Sequence, residues 1–146
     1  MSQFIGFNMR RGFAGEITRG AFDYTTEIKP NDGSTPVVAF GVPVMYNGDK
    51  SGVVLGTTYN AIIGFAVREY GQANTSGEYP GNMVTIMKRG YMAVAIDGGT
   101  PAPGGTVYVK SSGAISAAST SANAISGAYF TGEIDGDGLA EIAYNI

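Results

Sequence analysis

The chain has 146 residues and a mass of 15.1 kDa, a length suited to one domain with a real core. It has no Cys and no His, which excludes disulfides, thiolate chemistry, Cys-based metal sites and the commonest general base, so a non-catalytic protein is the default. Net charge is −3 and only 14% of residues are charged, a neutral surface with little electrostatic reason to avoid association.

Glycine numbers 23, with nine Tyr and seven Phe and no long helical period, and this points to many short strands joined by tight turns. The expected fold is all-β. Residues 1–36 carry four basic and four acidic residues among scattered aromatics, with no sustained period of 2 or 3.6. They read as an extended N-terminal arm or edge segment, with single rings at Phe4, Phe7 and Phe13 suited to filling pockets on a neighbour, or as edge strands of their own domain. Arg10-Arg11 is too small a basic cluster for a nucleic-acid footprint.

The turn cluster from Lys29 to Pro36 separates this segment from a single β domain over 37–146. Val37 to Tyr46, broken by Gly41 and Pro43, reads as a bulged or edge strand. Asn47-Gly48-Asp49 is a hairpin signal with Val53 to Leu55 as its return. Tyr59 to Tyr70 fits alternation at Ile63, Phe65 and Val67, and Gly64 weakens a helix there, so a strand is expected, followed by a surface loop over Gly71 to Gly81.

Met83 to Val109 has the strongest pattern. Val84, Ile86, Met92, Val94 and Ile96 fall on even positions and are expected to share one strand face, interrupted by Lys88 and Gly90. A Gly/Pro loop and a returning strand, Thr106 to Val109, follow. Lys88-Arg89 beside Gly90 suits either a bulge turned toward an acidic partner or a solvated bend. Ser111 to Ser126 is almost wholly small and polar and reads as a mobile surface loop or a short helix. Ala128 to Thr131 resumes a strand, Asp135 to Gly138 makes a turn, and Leu139 to Ile146 finishes the chain. The acidic residues after Ile125 read as solvated or as facing a basic partner.

Chemistry is sought with little return. Asp135-Gly-Asp-Gly138 lacks calcium-loop spacing, since positions five, six and twelve are Leu139, Ala140 and Ile146. The Gly98 to Gly105 loop lacks the helix and Gly-Lys-Ser/Thr of a phosphate cradle. Nothing in the sequence pairs Glu69, Glu78 or Asp97 as glycosidase carboxylates. No catalytic, cofactor-binding or metal residues are assigned. No window is long and apolar enough for a membrane span, and no secretion signal is seen, so synthesis in a cytoplasm is expected.

Taken together, Ala14-Gly15-Glu16-Ile17, Val38-Ala39-Phe40-Gly41-Val42-Pro43-Val44, Ile63-Gly64-Phe65-Ala66-Val67-Arg68 and the strand and turn series from Met83 to Tyr144 resemble the structural cement (head decoration) proteins of tailed bacteriophages. The resemblance covers nearly the whole chain. It implies a compact jelly-roll or barrel-like β sandwich with an extended N-terminal arm. It also implies homo-oligomers, dimers or trimers, on the outer surface of a phage head, where they bridge major capsid protein subunits and stabilise the virion, with no cofactor, nucleic acid or membrane partner. Under that reading, Phe4, Phe7, Phe13, Lys88, Arg89, Pro101 and Pro103 are candidate contacts with the capsid or with other copies, and deletion of Pro101 to Pro103 weakens assembly while leaving folding largely intact. The alternative is another virion module, such as a tail or fibre domain recognising a host receptor or glycan.

Overall fold

The computed structural model describes residues 12–19, 24–68 and 82–146, and every regular element among them is a β-strand. Runs of β-branched and aromatic residues, cut every few positions by Gly, Asn, Asp or Pro, favour this outcome. The strands are β1 (Thr25–Pro30), β2 (Pro43–Tyr46), β3 (Val53–Leu55), β4 (Ile62–Ala66), β5 (Met83–Ala95), β6 (Thr106–Lys110), β7 (Ile115–Ser116), β8 (Ala122–Phe130) and β9 (Leu139–Tyr144). All their pairings are antiparallel.

β5 belongs to two curled sheets. Its first half lies between β4 and β1, in the order β3-β2-β4-β5-β1, and its second half pairs with β9 in the order β5-β9-β8-β6-β7. Each sheet comes round on itself. Asn31, just past β1, makes a parallel bridge to Val53 of β3, and Ile96, just past β5, makes one to Ile115 of β7. The smaller ring encloses Val37, Val44, Val53, Ala66, Val84 and Ile86. The larger core gathers Phe65, Met87, Met92, Val94, Phe130 and Ile142, among others, with Phe65 and Tyr144 packed edge to face at 5.1 Å. The barrel-like all-β expectation is met.

The expected parity of β5 fails at its middle. Val84 and Ile86 point into the smaller ring, whereas Met87, Met92 and Val94 belong to the larger core. The register explains the change: Thr26 faces Met87 and Thr25 faces Arg89, which leaves Lys88 as an extra residue. A β-bulge of one residue flips the alternation beyond it. Gly90, at φ 143°, completes the bend where a Cβ would lie 2.7 Å from the Tyr24 Cβ.

Other segments behave as their sequences suggest, with three corrections. The Asn47 to Asp49 hairpin sets Tyr46 opposite Val53, β4 lies within Tyr59 to Tyr70, and Asp135 Oδ1 accepts from the backbone N–H of Asp137 and Leu139 in the expected turn. β2, however, is flanked by β3 and β4 and is not an edge; Pro43 is tolerated because it is the first strand residue, and the expected bulge falls at Val44/Met45. The stretch from Ser111 to Ser126 is neither loop nor helix alone: β7 and the start of β8 form there, anchored by buried Ile115 and Ile125. Two large side chains pointing inward suffice where the others need only extended backbone. The strand after the Gly/Pro loop returns to the same sheet, but β9 and β8 lie between it and β5. The loop over Gly71 to Gly81 is outside the described residues.

Candidate functional site

Residues 12–19 run along the free edge of the second half of β5. Gly15 N–H donates to Ala93 C=O, Ala93 N–H to Glu16 C=O and Thr18 N–H to Tyr91 C=O, and Ile17 bridges Met92. Arg68 N–H donates to Gly15 C=O, and Gly41 N–H to Ala66 C=O, so Ala14 to Ile17, Phe40 to Val42 and Ala66 to Arg68 meet backbone to backbone. Only glycine permits this approach. Gly15 and Gly41 have φ of 89° and 73°, and a Cβ on Gly41 would lie 2.7 Å from the Gly15 nitrogen.

This junction forms the floor of an apolar groove of about 370 Å³ lined by Phe13, Val38, Phe40, Val42, Arg68 and Ala95. Phe13 and Val38 stand at its rim, 59% and 60% exposed. The Arg68 guanidinium lies 4.7 Å from the Phe13 ring centre and 5.4 Å from that of Phe40, which holds both rings in place through cation–π contact. Neighbouring hollows extend the groove past Phe13 toward Leu139 and past Phe40 toward Ile115. Exposed apolar side chains around a concave floor suit a protein contact more than chemistry.

A buried acid fixes the segment that carries Phe13. Glu141 of β9 accepts from Arg19 Nη2 at 2.7 Å, Arg19 Nε at 3.3 Å, Thr131 Oγ1 at 2.5 Å and Thr18 Oγ1. Arg19 also lies 4.1 Å above the Tyr91 ring. Burial pushes the Glu141 carboxyl up, but the bonds from Arg19, Thr131 and Thr18 outweigh it and hold the group below its ordinary value. The same hydrogen bond to Glu141 raises Arg19. The expectation that this acid is solvated or faces a partner is therefore corrected: its partners lie within the chain. No sequence signal marked the pair, since the two residues are 122 apart.

The candidate contact residues fall in different parts of the fold. Phe4 and Phe7 are outside the described residues, and Phe13 is at the groove rim. Lys88 occupies the bulge with its Nζ 3.4 Å from Glu27 of β1, and Arg89 beside it is exposed. Pro101 is buried and Pro103 exposed, in a loop held by Gly104 N–H to Phe130 C=O and Phe130 N–H to Gly105 C=O. Of the acids weighed for catalysis, Asp97 pairs with Lys110 at 3.2 Å, while Glu69 and Glu78 are outside the described residues. No metal-holding cluster of acids occurs among the described residues. Val38, Phe40 and Arg68 were not singled out as contacts, although all three lie in the segments that carry the family resemblance.

A family model described as structural cement protein (E217 gp24/Pam3 gp6) matches residues 1–145. Among solved structures, a chain described under "The capsid of Myoviridae Phage XM1" has the same fold, with a TM-score of 0.72 at 15% identity, covering 99% of this chain and 97% of that one. No curated protein matches the sequence.

Proposed function

Because the chain belongs to the phage structural cement protein family and so has a capsid-associated structural role, we propose that it binds the outer surface of the head, bridges neighbouring major capsid protein subunits and does no chemistry. The observation that supports this reading is the apolar groove, whose rim residues Phe13 and Val38 are held outward on a rigid backbone junction. A preformed contact loses little entropy on docking, and repetition over a shell multiplies a modest affinity into avidity. Phe4 and Phe7, nine and six residues before Phe13 in sequence, add rings to the same contact, and the exposed Arg89 and Pro103 meet other parts of the shell.

The test is addition of purified protein to expanded capsids that lack it, with bound copies and capsid disruption temperature as readouts. Full burial of a Val or Phe is worth about 1.5–3 kcal/mol, so F13A/V38A, which keeps part of each contact, is expected to cost about 2 kcal/mol, roughly thirtyfold in affinity. Binding by wild type but undiminished binding by the double variant would move the contact elsewhere. No binding by wild type would remove the capsid reading.

A further inference from the structure

An acid followed by glycine is a weak point of a peptide backbone: the glycine nitrogen, with no Cβ beside it, reaches the acid's Cγ and closes a five-membered succinimide. The chain has four such dipeptides, Asp32-Gly33, Asp97-Gly98, Asp135-Gly136 and Asp137-Gly138. Their local chemistry is the same, so the fold decides between them. Three are restrained. Asp32 Oδ1 accepts from Thr35 N–H at 2.9 Å, Ser34 N–H at 2.8 Å and Ser34 Oγ at 2.9 Å, and its Oδ2 accepts from Asn47 Nδ2 at 3.1 Å. Those bonds, with that from Thr35 foremost, hold the carboxyl far below its ordinary range, so the protonated form that an amide attacks is scarce. Asp135 is buried, with its Oδ1 accepting from Asp137 and Leu139 N–H. After Asp137 the attacking nitrogen is itself engaged, since Gly138 N–H donates to Asp135 C=O at 3.3 Å. Asp97-Gly98 differs in both partners of the reaction. The Asp97 side chain is 67% exposed and is held by an ion pair with Lys110 at 3.2 Å, a weak restraint in water. Among the described residues nothing accepts from the Gly98 N–H, and the nearest atom to a Cβ built on Gly98 is 3.5 Å away, so nothing crowds the ring.

We propose that Asp97-Gly98 is a site of spontaneous backbone isomerisation, where the folded chain acquires an isoaspartyl link as it ages. Gly98 N gives up its proton and bonds to Asp97 Cγ, and the carboxyl OH leaves with that proton as water. A second water then opens the ring. At the Cγ carbonyl it restores aspartate; at the Cα carbonyl it leaves Gly98 joined through Cγ. One water is lost and one regained, so mass is unchanged and no oxidant or enzyme takes part. The product carries one extra methylene in the main chain between Asp97 and Gly98. Bonds lie on both sides of that insertion: Asp97 N–H donates to Ile115 C=O at 2.7 Å, and Gly98 C=O accepts from Ala117 N–H at 3.0 Å and Ser116 Oγ at 3.2 Å. With the Ile96–Ile115 bridge they fasten the end of β5 to β7, where the larger ring closes. A backbone lengthened between these bonds does not keep both, so the modification unfastens that seam.

The four dipeptides serve as controls for one another. Full-length protein is incubated at neutral pH in heavy-oxygen water, once folded and once in urea, and isoaspartate is mapped at each dipeptide by peptide fragmentation. Misplacing reacting atoms by about 1 Å costs up to about a hundredfold in rate, so the folded sample is expected to show at least about tenfold more isoaspartate at Asp97 than at Asp32, Asp135 or Asp137. In urea the four are expected to be comparable. D97E, which keeps the charge but needs a six-membered ring, loses the signal at that position. Hydrogen exchange reads the seam: the Asp97 and Ala117 amides lose protection in aged wild type and keep it in D97E held for the same time. Folded protein with as much isoaspartate at another of the four overturns the proposal, as does a preference for Asp97 that persists unchanged in urea and so belongs to the local sequence. Isoaspartate at Asp97 with unchanged protection of both amides overturns the unfastening of the seam. None of these readouts involves capsids, so they stand apart from the capsid-binding result.

Discussion

The bond network at Glu141 ties the side chains of the segment carrying Thr18 and Arg19 to β9 and to Thr131 just past β8, so its removal is expected to be among the costliest single polar substitutions in the fold. The Glu141 side chain is 11% exposed and that of Arg19 is 48% exposed. Water can therefore replace the carboxylate around Arg19 but not the reverse. E141A removes four acceptor contacts and leaves the hydroxyls of Thr18 and Thr131 to find new partners; hydrogen bonds to a charged group are worth about 1.5–3 kcal/mol in total effect, so a loss of about 3 kcal/mol is expected. E141Q keeps the volume and some acceptance and is expected to lose about half of that. R19A leaves the Glu141 carboxylate with only the Thr18 and Thr131 hydroxyls and is expected to cost about 2 kcal/mol, because the member of the pair that loses its charged partner is the buried one. Urea denaturation measures the series, and at this chain length each kcal/mol moves the melting temperature by roughly 2–4 °C. The pH dependence has a definite sign. The Glu141 carboxyl is held below its ordinary value of 4.5, so its contribution is present above that pH and is lost as pH falls below it. Wild type should approach E141Q in stability on acidification. An R19A without measurable cost, or an E141Q whose acid dependence matches wild type, would refute the argument.

G15A is expected to destabilise by about 2–3 kcal/mol in the same denaturation assay, since its φ of 89° is strained for alanine and the new Cβ would lie 2.6 Å from the Phe40 Cβ. Deletion of Pro101 to Pro103, expected from sequence to spare the fold, should instead unfold or strongly destabilise the chain, because Pro101 is buried and the loop is bonded to Phe130; an intact far-UV spectrum with a normal unfolding midpoint would contradict this. F130A, at a fully buried ring of the larger core, should cost about 3–5 kcal/mol by the same measurement.

The strands were legible where side chains alternate between Gly, Asn or Asp turns. The Asn47 hairpin, the strand within Tyr59 to Tyr70 and the long β5 follow from local pattern alone. What pattern does not contain is anything set by tertiary contact. A bulge at Lys88 is one of the two readings that the neighbouring Gly90 allows, but parity does not choose between them because Lys, Arg and Gly fit either face, and the choice is made by the two sheets that β5 must serve. Ser111 to Ser126 looked coreless because composition counts side chains, whereas Ile115 and Ile125 each fill a site prepared by other strands. The groove is half legible: Phe13 reads as a ring suited to a neighbour's pocket, but Val38, Phe40 and Arg68 acquire a role only when Gly15 and Gly41 bring their backbones together. The Arg19–Glu141 pair had no local signal, because neither residue type nor spacing indicates a partner 122 positions away.

The sharing of β5 by both sheets also sets the order of events in folding. Its first half pairs with β1, so that Ile28 meets Thr85, and its second half pairs with β9, so that Gly90 meets Tyr144, contacts separated by more than fifty residues on either side. Neither ring can finish from neighbouring segments, and a fold dominated by such distant pairings searches slowly, on the millisecond-to-second scale typical of β topologies. β9, buried along all six residues, inserts between β5 and β8 and is made after both. During synthesis, the edges of β5 and β8 therefore wait uncovered until Leu139 to Tyr144 leaves the ribosome, and that interval is when the chain is most exposed to pairing with the wrong strand.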